Sequence, residues 1–254
     1  MRIISFSADG IINAAENGFY DWLNEQDADF ICVQDLRCSE YDLQDNKYFP
    51  EDYNAYFLDD IDGKSNGVAI YCRKLPKAIM TGLGFADFDM EGRYIQADYE
   101  NLSVGSLLAP FAEPGNEEQL ARKMAFYDQL GGHLQKVRNK RREFIICGNW
   151  HLAHTAADVQ DTERNSNAPG FLTSERQWMN ELLESGYVDA FREVNSDQDE
   201  FSWWPEGDRG ANGWRSDLHI ISKGLQYTVD YGVIYKTKAF SSHAPVIMDY
   251  DIEL

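Results

Sequence analysis

Short runs of β-branched, aromatic and other apolar residues recur from one end of the 254-residue chain to the other, and they leave little choice of architecture. They fall at residues 2–6, 30–34, 53–58, 67–72, 91–99, 102–109, 143–147, 217–221, 227–235 and 245–251. Bounded by Gly, Asp, Asn and Ser, such runs read as sheet strands. Three segments between them carry helical spacing instead: Ile12 to Leu23, Glu117 to Val137, and Ser174 to Leu183. The second places Leu120, Met124, Tyr127, Leu130 and Leu134 on one face. It opens after Pro114 and Gly115 with acidic Glu117 and Glu118 and closes on basic residues, the polarity a helix dipole favours. Ser185-Gly186 closes the third, where a C-terminal Gly is expected. Polar stretches at 59–66, 113–116, 161–170 and 195–212 read as surface loops, and no internal repeat or linker breaks the pattern. The expectation is two packed sheets with helices outside, an α/β sandwich in one domain spanning residues 1–254.

Charge narrows the function. The chain carries 43 acidic against 23 basic residues, a formal net charge of -20, which argues against a general basic face for gripping nucleic acid. No stretch approaches the ~18 apolar residues that span a bilayer, and the opening Met1-Arg-Ile-Ile-Ser reads as a strand too short for a signal-peptide core. A cytoplasmic protein without a membrane partner is expected. Cys32, Cys38, Cys72 and Cys147 form no C-x-x-C pair and read as reduced thiols, three of them in apolar runs.

Several strings carry more specific information. They include Met1-Arg-Ile-Ile-Ser-Phe-Ser-Ala-Asp-Gly-Ile, Ile31-Cys-Val-Gln-Asp, Gly67-Val-Ala-Ile-Tyr, Glu91-Gly-Arg, Ile146-Cys-Gly-Asn-Trp-His-Leu-Ala-His and Gly170-Phe-Leu-Thr-Ser-Glu-Arg-Gln-Trp. Phe201-Ser-Trp-Trp, Gly213-Trp-Arg-Ser-Asp and Ser241-Ser-His-Ala-Pro complete the series. In this order the strings resemble the exonuclease III and abasic-site endonuclease family of metal-dependent phosphodiesterases. The resemblance implies a four-layer α/β sandwich of the endonuclease-exonuclease-phosphatase type, two mixed sheets flanked by helices.

A nuclease of that family needs carboxylates for Mg²⁺, a hard ion that prefers oxygen ligands. It also needs an acid that activates water and an Asp-His pair with other donors to stabilise the charge developing on phosphate. At the matching positions this chain departs from the pattern. The metal Glu is Asp35, one methylene shorter, and the Asn before Asp9 is Ser7. Gly-Asp-x-Asn becomes Gly148-Asn149-Trp150-His151, so an amide replaces the water-activating acid and an imidazole replaces the amide. Leu108 stands where a Tyr hydroxyl is usual, and Ser242 replaces the acid before His243, which is expected to leave that His without its carboxylate. Asp9, Asp217 and His243 keep their type.

Loss of a positioned base or charge stabiliser lowers rate by ~10²–10⁴ each, not additively. The expectation is therefore a vestigial pocket with no catalytic residues, no bound metal and no cofactor. The resemblance is strongest to a non-catalytic branch, which implies a translational co-repressor in carbon catabolite repression that joins the RNA chaperone Hfq on A-rich segments of mRNA. The alternative is a weak or altered metal-dependent DNA-repair nuclease using Asp9, Asp35, Asp217 and His243.

Basic residues cluster in one place: Lys136, Arg138, Lys140, Arg141 and Arg142 lie within seven residues that contain no acid. One or two of them suffice to complement a helix C-terminus. The surplus reads as a patch for RNA phosphate or an acidic partner, with weak or no RNA binding alone. Trp203, Trp204 and Trp214 read as packing beneath the pocket rim rather than as stacking platforms, and His151 and His154 as structural rather than a metal pair. Arg93 and Arg215 are expected to pair with Asp9 or Asp217.

Overall fold

The computed structural model describes residues 1–254. In chain order its strands and α-helices are β1 (Arg2–Ser7), α1 (Ile11–Glu16), α2 (Phe19–Leu23), β2 (Phe30–Gln34), β3 (Asn54–Leu58), β4 (Val68–Cys72), β5 (Ala78–Thr81), β6 (Tyr94–Asp98), β7 (Leu102–Leu108) and α3 (Glu117–Val137). There follow β8 (Glu143–Asn149), α4 (Thr162–Asn165), α5 (Thr173–Glu184), β9 (Tyr187–Asp189), α6 (Ala190–Val194), β10 (Asp217–Ser222), β11 (Val229–Ile234) and β12 (Val246–Tyr250).

The strands form two six-stranded sheets, ordered β11-β12-β1-β2-β4-β3 and β5-β6-β7-β8-β10-β9. Each is antiparallel except for one central parallel pair, β1 with β2 and β7 with β8. The two orders are the same connectivity, with the first sheet entered part-way through. The repeat lives in topology alone, without a matching repeat in sequence.

Period-2 alternation explains the layers. Ile3, Phe30, Cys32, Val68 and Ile70 of the first sheet meet Ile95, Val104, Ile145, Cys147 and Ile221 of the second in the central core. Their neighbours Ile4, Phe6, Ile31, Val33 and Tyr71 turn outward onto Phe19, Tyr20 and Trp22 of α2. On the other side Leu107, Ile146, Leu218 and Ile220 carry Phe126, Tyr127, Leu130 and Leu134 of α3 and Trp178 and Met179 of α5. The result is the expected helix, sheet, sheet, helix sandwich. All four cysteines are free and buried.

Three local readings need correction. The helix over Ile12 to Leu23 is two, because Gly18 turns left-handed at φ 87° and separates α1 from α2. Strands β5 and β9 lie outside the apolar runs; β5 is a largely exposed edge strand, and β9 has only three residues. The loop at 161–170 contains the short helix α4, whose first turn is capped by Asp161. By contrast α3 has the expected bounds, with Asn116 accepting the Gln119 N–H at its start and Lys136 in its last turn.

Arg215 does not pair with Asp9 or Asp217. Only 1% exposed, it donates from Nε to Asp158 at 2.7 Å and from both terminal nitrogens to Asp189 at 3.3 and 2.6 Å. Arg192 from α6 reaches the same Asp158 oxygen at 2.7 Å. Burial would raise the Asp158 pKa, but Arg215 and Arg192 outweigh it and hold the carboxyl well below the usual carboxylate range. The knot joins the loop after β8, the end of β9 and the entrance to β10, so it fixes the chain just before Asp217. Arg215→Met, which leaves Asp189 without a cation, is expected to lower the unfolding free energy by about 3–5 kcal/mol. Urea denaturation followed by tryptophan fluorescence measures this, and a loss below about 1 kcal/mol would mean the knot is dispensable.

Candidate functional site

Parallel strands fix where a site can form. The C-terminal ends of β1, β2, β7 and β8 open at one edge of the sandwich, where ligands of open α/β sheets usually bind. Ser7 ends β1, Asp9 and Asp35 follow β1 and β2, Leu108 and Asn149 end β7 and β8, and His151 lies two residues on. Asp217 opens β10, and Ser242 and His243 precede β12, both strands being antiparallel to their parallel-pair neighbours. The fold thus gathers all nine pocket positions expected from sequence. A cleft of about 340 Å³ exposes Asp9, Asp35, Leu108, His151 and His243, together with Arg37, Arg93, Phe111 and Trp203. A larger hollow of about 760 Å³, beside Lys47, Phe49 and Arg73, contains none of the motif residues.

Backbone strain concentrates here. Seven non-glycine residues have left-handed φ, and Asp9, Asp35, Arg37, Asn66 and His151 among them line the cleft. Such outliers persist only where surrounding contacts hold them. Gly148, at φ 146°, lets β8 pass within reach of β7: a Cβ there would sit 2.0 Å from the Leu107 carbonyl oxygen.

The acidic side of the cleft is organised by Arg37, which sequence reasoning missed. Its guanidinium donates from Nε and Nη2 to the two oxygens of Asp35 at 3.1 and 2.6 Å, and from Nη2 to Asp9 at 3.2 Å. The other Asp9 oxygen accepts the Ser242 N–H at 3.2 Å and the Ser242 hydroxyl. Burial would raise the Asp9 pKa, yet His243, Ser242 and Arg37 lower it; at Asp35 burial prevails and the pKa is raised. A sequence signal existed, a cation two residues beyond the metal-position acid. Mg²⁺ demands near-octahedral oxygen ligation at ~2.0–2.1 Å. The only cleft-facing carboxylates at the matching positions already share a guanidinium, and Ser242 and Asn149 bring no charge, so the donor set does not fit this ion.

Asn149 is equally committed. Its Nδ2 donates across the sheets to Ser7 Oγ at 3.2 Å, and its Oδ1 accepts the His151 N–H at 3.0 Å. The His151 ring faces Phe111 and Trp203, with centroids 5.3 and 6.4 Å away, and its Nδ1 has no partner. Burial and then nearby Lys123, His243, Arg93 and Arg37 hold its pKa well below the usual histidine value, so the ring is neutral. His154 turns elsewhere, 2.6 Å from the Asn180 side chain on α5.

Beneath His151 lies another residue absent from the sequence reading. Lys123, on the buried face of α3 and 1% exposed, donates to the His151 carbonyl at 2.7 Å and pairs with fully buried Glu175 at 2.6 Å. Glu175 in turn accepts the Gly170 and Leu172 N–H groups at 2.6 and 3.0 Å. One ion pair therefore anchors both loops behind the cleft. A lysine at helical spacing from Leu120 and Tyr127 was the available clue.

His243 does not lack a carboxylate. Asp217 Oδ2 lies 2.8 Å from its Nδ1 and also accepts the Ser202 hydroxyl at 2.6 Å, while Trp203 stacks on the ring at 5.7 Å. The partner comes from 26 positions earlier in the chain, across the sandwich, so the loss of an acid at Ser242 does not remove it. Arg93 is corrected as well: it pairs with Glu91 at 2.6 Å and reaches the Leu108 carbonyl at 3.4 Å. Trp204 and Trp214 are buried, and Trp203 is half-buried at the rim.

Residues 7–238 match the family model described as "Endonuclease/Exonuclease/phosphatase family". The chain belongs to that family. It is 30% identical over 253 residues to an exodeoxyribonuclease of Bacillus subtilis, covering 97% of this chain and 98% of that one. It is 27% identical to a DNA-(apurinic or apyrimidinic site) endonuclease of Dictyostelium discoideum, over 99% of this chain and 71% of the other. The solved AP endonuclease of Archaeoglobus fulgidus superposes with a TM-score of 0.90 at 22% identity, covering 99% and 100% of the two chains. That likeness supports the endonuclease/exonuclease/phosphatase fold directly.

Within that family fold, the basic segment sits at the far end from the cleft. Six residue steps along β8 separate Glu143 from Asn149, a rise of roughly 20 Å. Arg138 donates to the Ser185 carbonyl and Arg142 pairs with Asp98 at 2.7 Å. Lys136, Lys140 and Arg141 are exposed and make no ion pair or side-chain hydrogen bond.

The Asp217 contact makes a pH prediction. Burial opposes charge on His243, but Asp217, then Asp9 and Asp35, raise its pKa above the ordinary 6.5. A raised folded pKa stabilises the fold fully below the unfolded value and loses that contribution as pH rises through the folded one. NMR titration should show the His243 imidazole titrating above 6.5 in the wild type and lower in Asp217→Asn. An unmoved midpoint would refute the pairing.

Proposed function

We propose that this chain is a non-enzymatic translational co-repressor of carbon catabolite repression, acting with Hfq on A-rich segments of mRNA. The observation that carries this reading is the separation of two surfaces. One end holds three uncommitted cations, Lys136, Lys140 and Arg141, while at the other end Leu108 and His151 line the cleft, with Asn149 bonded to His151 and Ser242 to Asp9. The strings Lys140-Arg-Arg-Glu-Phe-Ile-Ile-Cys-Gly, Phe201-Ser-Trp-Trp-Pro and His243-Ala-Pro further resemble the bacterial catabolite repression control protein.

Physical chemistry supports joint action. Asn149 cannot take a proton from water near neutral pH, and both its side-chain groups serve structural bonds. Three cations on a body of charge -20 make only a few phosphate contacts against a repulsive field. RNA presented by a partner such as Hfq overcomes that field, because the partner supplies most of the affinity and this chain adds a second contact.

A nuclease reading is the rival, favoured by the relatives' activity and by the intact Asp217–His243 pair. The two separate cleanly. A triple variant, Lys136→Glu, Lys140→Glu and Arg141→Glu, spares the structural Arg138 and Arg142. With each charge-assisted hydrogen bond to phosphate worth about 1.5–3 kcal/mol, it should weaken assembly with Hfq and A-rich RNA at least ~tenfold in gel-shift titrations. Unchanged assembly in the folded variant refutes the assignment. Cleavage of abasic-site duplex DNA in Mg²⁺ or Mn²⁺, lost in Asp217→Ala, establishes the rival.

A further inference from the structure

We propose that Arg37 is the resident cation of the cleft: its guanidinium holds the place between Asp9 and Asp35 that a divalent metal would take, and removing it opens the acid pair to metal. This goes beyond the co-repressor reading and is tested independently, since it concerns ion binding at the end of the sandwich remote from Lys136 to Arg142.

The geometry is that of a counterion. Two carboxylates separated by 26 residues converge on one guanidinium, with Asp35 held by both oxygens and Asp9 by one. Bidentate Arg-carboxylate pairing fixes direction as well as charge. A metal bridging the same acids would bring a divalent charge against the guanidinium, so the two occupants exclude each other.

Local backbone makes the placement a property of the fold. Arg37 takes a left-handed φ of 51°, uncommon for a long side chain, between Asp35 at 58° and a contact with left-handed Asn66 at 48°. Its N–H donates to the Asn66 carbonyl at 2.8 Å, and Leu36 N–H to the Gly67 carbonyl at 3.2 Å. The turn is pinned on both sides so that Arg37 folds back over Asp35. The short arm of Asp35 is reached by the long stem of Arg37, which donates to both of its oxygens.

The experiment titrates Mn²⁺ into the full chain, following free Mn²⁺ by electron paramagnetic resonance and unfolding by thermal shift. Wild type should show no saturable uptake dependent on Asp35. Arg37→Met should bind Mn²⁺ at least tenfold more tightly and gain a Mn²⁺-dependent rise in unfolding temperature, both abolished by adding Asp35→Asn. Arg37→Lys, which keeps one positive charge, should stay closed to the ion. If Arg37→Met does not fold, Arg37→Gln takes its place. Saturable wild-type uptake lost in Asp35→Asn overturns the proposal, as does a folded Arg37→Met or Arg37→Gln that binds no better than wild type.

Discussion

A guanidinium buried between two acids organises the half of the molecule that carries the cleft. Arg215 must be paired, because an isolated charge in that interior is far costlier than a paired one. Its partners therefore fix the loop after β8, the end of β9 and the start of β10 relative to one another. Lys123 and Glu175 repeat the device under His151, and their hydrogen bonds set the paths of the loops around 151 and 170. The Lys123–Glu175 pair lies behind the cleft wall, and the Arg215 pairs hold the entrance to β10, which carries Asp217.

The same logic explains what could be read from sequence. Strands β1, β2, β4, β7, β8, β10 and β12 are apolar enough to announce themselves, and α3 has both a helical face and clear end signals. Edge strands β5 and β9 were invisible because little of their character is decided by local pattern. At the site, motif strings located the nine pocket positions, but pairings across the sandwich were beyond them. His243 finds Asp217 from the other sheet, and Arg215 finds Asp158 and Asp189, 57 and 26 positions away in the chain. Charged residues on a buried face, such as Lys123, are discounted by any reading that looks for apolar periodicity.

The acidity of the chain is distributed with structure in mind. Several acids are counterions or turn caps rather than free surface charge: Asp62 caps Lys64 and Ser65, Asp60 holds Asn66, and Asp98 steadies Arg142. What remains uncommitted at the basic end is a small positive surface on a negative body. Its charge favours phosphate, and its small size keeps that attraction weak and sensitive to salt.

The order of strands also sets an order of assembly. The second sheet draws all its strands from residues 78–222, whereas the first seats β1 between β2 and β12. During synthesis the second sheet can close around its own helices while β1 still lacks one neighbour, some 240 residues away in the chain. Until the last strand emerges, an apolar strand is left with an open edge, the kind of surface that invites wrong pairing. Strand β1 is thus secured on both sides only once β12, some 240 positions later, is in place.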